Sequence, residues 1–120
     1  MSESQLHQFI RILANCRNIC AHNERLYSFR VNEAIPDTIL HHKLKIPLKN
    51  RQYSIGKNDL FAVVIALRYL LDNDEFKHFK RDLKKLINSI LMQCPHISQE
   101  FLFTQMGFPQ NWDNITRYKK

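Results

Sequence analysis

Glycine and proline are scarce in this sequence, whose 120 residues include only 2 Gly and 4 Pro. A barrel or sandwich of many strands needs a turn about every 10 residues, and Gly and Pro form most such turns. Hydrophobic residues make up 44% and charged residues 24%, a mix that excludes a disordered chain. The length corresponds to one domain with a buried core. We therefore expect a single all-α domain, a small helical bundle spanning residues 1–120.

Cysteine is also rare, and the chain has no long hydrophobic run. Three cysteines cannot all pair within one chain. The opening MSESQLHQFI has no basic segment followed by the apolar run of a secretory leader. Both features predict a cytoplasmic protein with reduced thiols. The longest apolar stretch, LFAVVIALRYLL, is about half a membrane span and contains Arg68, so we expect a core helix and no membrane partner.

Several catalytic and metal-binding motifs are missing from the sequence. It has no Gly-rich phosphate loop, no acidic metal cluster and no serine nucleophile elbow. Cys16, Cys20, Cys94 and His96 offer a zinc site as an alternative, but structural zinc sites usually place two closely spaced cysteines on a loop. Reduced core thiols are the favoured interpretation. We therefore predict neither a metal nor a cofactor.

Positive charge is in excess. Lys and Arg total 18 against 11 Asp and Glu, which gives a formal net charge of +7. A cationic surface gains affinity for a polyanion by releasing counterions from its phosphates. The excess favours a nucleic-acid partner, with a basic but inert surface as the alternative.

Hydrophobic spacing predicts about four helices. A motif helix runs from Ser4, its predicted N-cap, to His22 and is followed by an irregular connection over 23–57 that can hold short extended pieces or helical turns. Core helices occupy 58–106. The second helix is capped by Asn58 or Asp59, the third runs from Asp74 until Pro95 stops it, and the fourth spans 98–106. Gly107 then ends the fourth helix, and 107–120 form a tail.

The predicted third helix has two different faces. At 100° per residue its apolar side chains gather on one side, namely Phe76, Phe79, Leu83, Leu86, Ile87 and Ile90. Its basic side chains gather on the other side, namely Lys77, Lys80, Arg81, Lys84 and Lys85. Lys43, Lys45, Lys49 and Arg51 form a second basic group in the irregular connection. Both groups are candidates for contacts with a nucleic-acid backbone, and a solvated surface is the alternative.

The predicted first helix carries an arginine on its apolar side. Arg17 falls about 20° around the helix from Leu6. A guanidinium there needs an acidic partner, a route to water along its stem, or a cleft in which an anion binds. His22 lies at the end of the same helix, and Asn18, four residues earlier, shares its face. A histidine at a helix end can also serve only as a favourable partner of the helix dipole.

The pattern Arg17-Asn18-x-x-x-His22 resembles the motif of the HEPN superfamily of helical ribonuclease domains. The wider string RNICAHNERLY, together with GFPQNW, resembles the C-terminal half of Abi-like abortive-infection proteins of the AbiD/AbiF group. The resemblance covers about Leu6 to Trp112. Members of that family usually carry a longer N-terminal portion that this sequence does not contain.

The resemblance implies a metal-independent RNA endonuclease of phage defence or of a toxin–antitoxin pair, with an antitoxin protein as a further partner. His22 would transfer a proton at the ribose 2′-hydroxyl, Arg17 would hold the scissile phosphate, and Asn18 would orient His22. Arg25 and Tyr27 continue the motif and would either contact RNA or pack the turn, and packing is the favoured role for Tyr27. The alternatives are a non-catalytic RNA-binding relative and a helical protein-interaction module or truncated remnant.

The resemblance also implies a homodimer, because two such motifs commonly face each other in HEPN nucleases. Relatives have helices before the motif helix, so its apolar residues must be covered in some other way. Leu6, Phe9, Ile10 and Leu13 would be buried either by the rest of this chain or by a second copy. A closed two-fold dimer is the commonest form of a soluble homo-oligomer.

Overall fold

The structure, a computed structural model, describes residues 2–21 and 29–118, without the side chains of 18–21. Its elements in chain order are α1 (Glu3–Ala21), α2 (Ile39–Lys43), β1 (Leu48–Lys49), β2 (Gln52–Tyr53), α3 (Leu60–Leu70), α4 (Asn73–Gln93), α5 (Gln99–Met106) and a 3-10 helix (Trp112–Arg117). The predicted all-α class is confirmed. Within the described ranges, the four helices of eight or more residues are α1, α3, α4 and α5.

Helix α3 lies at the centre of the fold because nearly every side of it is apolar. Residues 61–66 are all buried. Asp59 caps its first turn by accepting the Ala62 N–H at 3.0 Å, as the sequence predicts for one of two candidate residues. Helix α1 packs along α3, and the ring of Phe9 stacks on Tyr69 at a centroid distance of 5.1 Å.

Two predicted helix starts are wrong. Helix α1 is capped by Ser2 rather than Ser4, because the Ser2 hydroxyl accepts the Gln5 N–H at 3.1 Å and Gln5 accepts the Ser2 N–H in return. Helix α4 begins at Asn73 rather than Asp74. There Asp72 exchanges the same pair of hydrogen bonds with Glu75.

Residues 29–59, which we call the middle connection, contain more regular structure than the sequence pattern shows. Strands β1 and β2 form an antiparallel hairpin. Its two-residue loop, Asn50-Arg51, has positive φ at both positions, 52° and 65°, which is typical of a type I′ turn. Outside the hairpin, the backbone of Val31 bonds to Asn58 and that of Ile35 to Lys57. These bonds tie the two ends of the middle connection together.

A buried histidine anchors the middle connection from inside. His41 accepts the Thr38 N–H at its Nδ1 atom, 3.0 Å away. Its Nε2 atom lies 2.7 Å from the Gly56 carbonyl, which only accepts, so Nε2 donates and the ring is neutral. Burial lowers the His41 pKa from its ordinary 6.5, and the positive charge of Lys57 lowers it further. The hydrogen bonds to the backbone of Gly56 and Thr38 and the negative charge of Asp37 raise the pKa, but burial has the largest effect.

The C-terminal residues close the core. Ser98 caps α5 by accepting the Phe101 N–H at 3.1 Å, a role that the sequence pattern does not assign to it. Gly107 ends the helix in the left-handed conformation with a φ of 74°, as predicted. The sequence identifies 107–120 only as a tail, yet Phe108, Trp112 and Ile115 are buried. Helices α1 to α5 include none that is long and apolar enough to cross a membrane.

Candidate nucleic-acid interface

The basic side of α4 forms one groove with the C-terminal residues of the chain. We call it the basic groove, and its volume is about 480 Å³. It is lined by Lys77, Lys80, Arg81, Lys84, Lys85, Asn88 and Thr116. All five basic residues predicted on this face of the helix therefore lie in one depression. Because the spacing of α4 repeats with the helix turn, the sequence pattern was sufficient to find them.

Two hydrogen bonds hold the ammonium group of Lys80 in place in the basic groove. Its ammonium donates to the Asp113 carbonyl at 2.5 Å and to the Thr116 hydroxyl at 2.8 Å. Partial burial lowers the Lys80 pKa below its ordinary 10.5, and the charges of Lys84 and Arg117 lower it further while Asp113 raises it. An anion bound here would relieve the repulsion among these like charges.

One carboxylate faces the basic groove from the 3-10 helix. The Lys84 ammonium lies 3.4 Å from Asp113 Oδ2, and both side chains are about half exposed. A surface pair of this kind contributes about 0–1 kcal/mol, so it competes weakly with a phosphate. Asp113 lies 29 residues after Lys84 and Thr116 lies 36 residues after Lys80, and no local pattern predicts their place beside α4.

The opposite side of α4 faces a second, apolar depression shared with α1 and α3. This apolar groove has a volume of about 550 Å³. It is lined by Leu13, Cys16, Arg17, Leu60, Val63, Val64, Leu67, Phe79, Leu83, Leu86, Ile87, Ile90, Met106 and Phe108. Leu86, predicted on the core face of α4, is 55% exposed because no described neighbour covers its side of the helix.

Arg17 reaches the apolar groove as an exposed side chain of α1. The nearby apolar side of α1 is only partly covered, since Phe9 is buried but Leu6 is 36% and Ile10 is 50% exposed. Arg17 therefore belongs to the open edge of the apolar face, where its guanidinium has access to solvent and to an incoming anion.

The remaining motif residues lie outside the described part of the chain. His22, Arg25 and Tyr27 fall in the segment 22–28, and Asn18 is described only by its backbone in α1. Their predicted roles stay predictions. The second basic group of the sequence, Lys43, Lys45, Lys49 and Arg51, lies in the middle connection, and none of its members lines the basic groove.

The structure does not bring Arg17 and the lysines of α4 into one site. Among the described residues, none lines both the apolar groove and the basic groove. The two grooves lie on opposite sides of α4, and a helix with its side chains is about 10–12 Å across. A nucleic acid in the basic groove would have to pass around α4 to reach Arg17 of the same chain.

A third depression adjoins the basic groove at the beginning of α4. We call it the Arg68 pocket, and its volume is about 210 Å³. It is lined by Arg68, Asn73, Phe76, Lys77, Thr116, Arg117 and Tyr118. Sequence reasoning used Arg68 only to exclude a membrane span. An arginine inside an otherwise apolar helix was the available signal that something polar lies at that point.

The described residues show no metal centre. Nowhere in 2–17 and 29–118 do three or more His, Cys, Asp or Glu side chains group as metal ligands. Cys16 and Cys94 are half-buried, and the side chain of Cys20 is not among those described. The zinc alternative therefore gains no geometric support from the described part.

Comparisons with known proteins do not identify the chain: no protein-family model, no curated protein and no solved structure matches it. The resemblance to HEPN and Abi-like proteins rests on the motif residues alone. The motif residues and the geometry of the grooves are therefore the two sources of evidence for function.

Proposed function

We propose that the protein is a cytoplasmic RNA endonuclease that binds its substrate along the basic groove and cleaves it without a metal ion. The observation that carries the proposal is the convergence of five cationic side chains in one depression. Neutralising several phosphates releases counterions, which favours a polyanion over any small anion. The apolar groove offers no comparable charge, since Arg17 is the only ionisable cation among its described lining residues.

The chemistry follows from the motif on α1. A histidine near its ordinary pKa exchanges a proton at neutral pH, so His22 is suited to act on the ribose 2′-hydroxyl. Arg17, exposed on α1, is suited to hold the scissile phosphate and to stabilise the charge that develops on it. Asn18, four residues before His22, would orient the imidazole. The proposed setting is phage defence or a toxin–antitoxin pair with an antitoxin protein.

We also propose that the active form is a homodimer. Two-fold association would cover Leu6 and Ile10, which the described chain leaves exposed. It would also let the basic groove of one copy deliver RNA to Arg17 of the other, which α4 obstructs within one chain. In such a dimer, one site would combine the basic groove of one copy with Arg17 of the other, although the two lie on opposite sides of α4 within one chain.

The decisive experiment measures cleavage of labelled RNA in excess EDTA. We expect Arg17→Ala and His22→Ala each to slow cleavage by about 100-fold or more, with the helical circular dichroism signal unchanged. Arg11→Ala is the matched control, because Arg11 is an exposed arginine of α1 that pairs with Glu33. We expect it to cleave like the parent. Where one site takes Arg17 from one copy and His22 from the other, mixing Arg17→Ala and His22→Ala chains restores part of the activity.

The same assay separates the proposal from its alternatives. Salt-dependent RNA binding without cleavage identifies a non-catalytic RNA-binding protein, and the absence of binding favours a helical protein-interaction module. Cleavage that EDTA abolishes and a divalent ion restores contradicts the metal-independent mechanism.

A further inference from the structure

The Arg68 pocket is built around a buried cation. Arg68 is only 6% exposed at the C-terminal end of α3. Its guanidinium donates to Asn73 Oδ1 and to the Tyr118 carbonyl, each at 3.1 Å. It also lies 5.6 Å from the centre of the Phe76 ring. The planar donor group is therefore held in a fixed orientation at the wall of the pocket, which is what recognition of a phosphate needs.

The charged side chains that line this pocket are all cationic among the described residues. Lys77 and Arg117 join Arg68 in the lining, and no carboxylate is present among the described lining residues. The first turn of α4 carries Asp74 and Glu75, but neither lines the pocket. Three cations around one small space attract a multiply charged anion more strongly than a singly charged one.

The pocket is small and is connected to the basic groove. Its volume of about 210 Å³ lies below the ~300–1,000 Å³ of pockets that enclose whole drug-sized ligands. Lys77 and Thr116 line both depressions, so the pocket opens where the basic groove ends. A group that enters it can therefore belong to a longer molecule lying in the groove.

We propose that the Arg68 pocket binds a terminal phosphate monoester of the RNA strand that occupies the basic groove. A terminal phosphate carries a charge of about −1.5 to −2 at neutral pH and three accepting oxygens, whereas an internal diester carries a single charge. The pocket matches the terminal group in charge, in size and in its position beside the groove. This inference rests on the proposed RNA binding and adds a preference for a phosphorylated strand end.

The test compares oligoribonucleotides by fluorescence anisotropy. One strand carries a 5′-phosphate, and its partner is one nucleotide longer with a 5′-hydroxyl, so that both contain the same number of phosphate groups. A second pair makes the same comparison at the 3′ end. We expect a preference of about tenfold or more for the phosphorylated strand of one pair, because the terminal monoester offers the three cations more negative charge and one more accepting oxygen than an internal diester does.

Three variants locate the preference. Arg117→Gln changes an exposed side chain of the pocket, and Arg68→Gln changes the buried one; we expect both to reduce the preference to less than about threefold. Arg81→Gln is the matched control, because Arg81 lines the basic groove but not the pocket. Arg81→Gln should weaken the binding of both strands equally and leave the ratio of their affinities unchanged. Because Arg117 is exposed, its variant tests the proposal even where Arg68→Gln fails to fold.

The outcomes separate this inference from the proposed function. Equal binding of phosphorylated and hydroxyl strands overturns the pocket but leaves RNA binding intact, whereas binding of neither strand overturns both. A preference that survives in Arg117→Gln overturns the pocket, and so does one that survives in folded Arg68→Gln. Adenosine monophosphate is the free competitor: if it binds as tightly as the phosphorylated strand, the pocket takes a free nucleotide and the assignment to a strand end is wrong.

Discussion

The middle connection and the basic groove use polar side chains in opposite ways. In the middle connection, His41 and Asp59 are buried, and each forms hydrogen bonds to backbone groups: His41 to Gly56, fifteen residues away, and Asp59 to the nearby N–H groups of Gly56 and Ala62. In the basic groove, Lys77, Lys84 and Lys85 are exposed, and like charges are neighbours. A buried polar group that loses its partner costs about 1–3 kcal/mol, whereas an exposed charge costs little to change.

This difference separates the part of the molecule that stabilises the fold from the part that binds. The middle connection has little regular structure, yet its two buried polar side chains, His41 and Asp59, are hydrogen-bonded within the fold. The basic groove sits on the most regular helix, and most of its charges are available to a ligand. Substitutions should therefore affect stability in the first region and binding in the second.

The largest effect is expected at Gly107, where α5 meets the cap of α3. A Cβ at Gly107 would lie 2.0 Å from Asp59 Oδ2, and the φ of 74° disfavours any other residue. Asp59 is buried and accepts hydrogen bonds from the N–H groups of Gly56 and Ala62, so moving its side chain away from the new Cβ would break these hydrogen bonds. We expect Gly107→Ala to lower the free energy of unfolding by about 3 kcal/mol or more, measured by urea denaturation.

Gly56→Ala is the control for that measurement. Gly56 has nearly the same φ, 77°, but an added Cβ would meet side-chain atoms of Ile65 and Phe61 no closer than 3.3 Å. Its expected loss is about 1–2 kcal/mol, mostly from the backbone conformation. Equal losses in the two variants would contradict the fixed position of Asp59.

An intermediate effect is expected from the titration of His41. Burial lowers its pKa in the folded state, so the unfolded chain binds the proton more readily. Stability is therefore full above pH 6.5 and falls as the pH drops from 6.5 to the lowered folded pKa. The titration of Asp59 has the opposite effect on stability, because burial raises its pKa from the ordinary 3.8 in the folded state. Its contribution to stability falls as the pH rises from 3.8 to the raised folded pKa. Urea midpoints measured between neutral and acidic pH follow the sum of these effects.

Two variants isolate the contribution of His41. His41→Phe removes the titration, and we expect it to lose the part of the slope that lies below pH 6.5. It should also cost about 1–3 kcal/mol at neutral pH, because the Gly56 carbonyl and the Thr38 N–H lose their partner. His42→Phe changes the exposed neighbour and should keep the slope of the parent. A slope that survives in His41→Phe would exclude His41 as its source.

The sequence was sufficient for features that repeat with the helix turn or depend on a few adjacent residues. The central apolar helix, its cap at one of two adjacent residues, Asn58 or Asp59, and the helix-ending glycine at 107 belong to this class. The basic side of α4 does too, since its cations recur every three or four residues. Leu86 shows the limit of this reasoning: the helix period gives its direction, but whether a neighbour covers it depends on tertiary packing.

The parts that the sequence did not predict depend on contacts between distant residues. His41 bonds to Gly56 fifteen residues away, and Arg68 bonds to Tyr118 fifty residues away. Neither contact leaves a periodic signal. For the candidate site, the cations of α4 were predictable, whereas Thr116 and the Arg68 pocket became visible only when the C-terminal residues were placed beside α4.

The smallest effect on stability, and the sharpest contrast between the two regions, is expected from one lysine in each. Lys85 lines the basic groove and Lys49 lies in the hairpin, and both are exposed. Replacing either by Ala should change the free energy of unfolding by less than about 0.5 kcal/mol, because surface charges contribute little. Their effects on RNA should differ. Each phosphate contact adds about 0.7 to the slope of log affinity against log salt for a single strand, so Lys85→Ala should reduce that slope while Lys49→Ala leaves it unchanged. Equal reductions would show that the strand also runs over the middle connection, and its cations would then have to be counted with those of the basic groove.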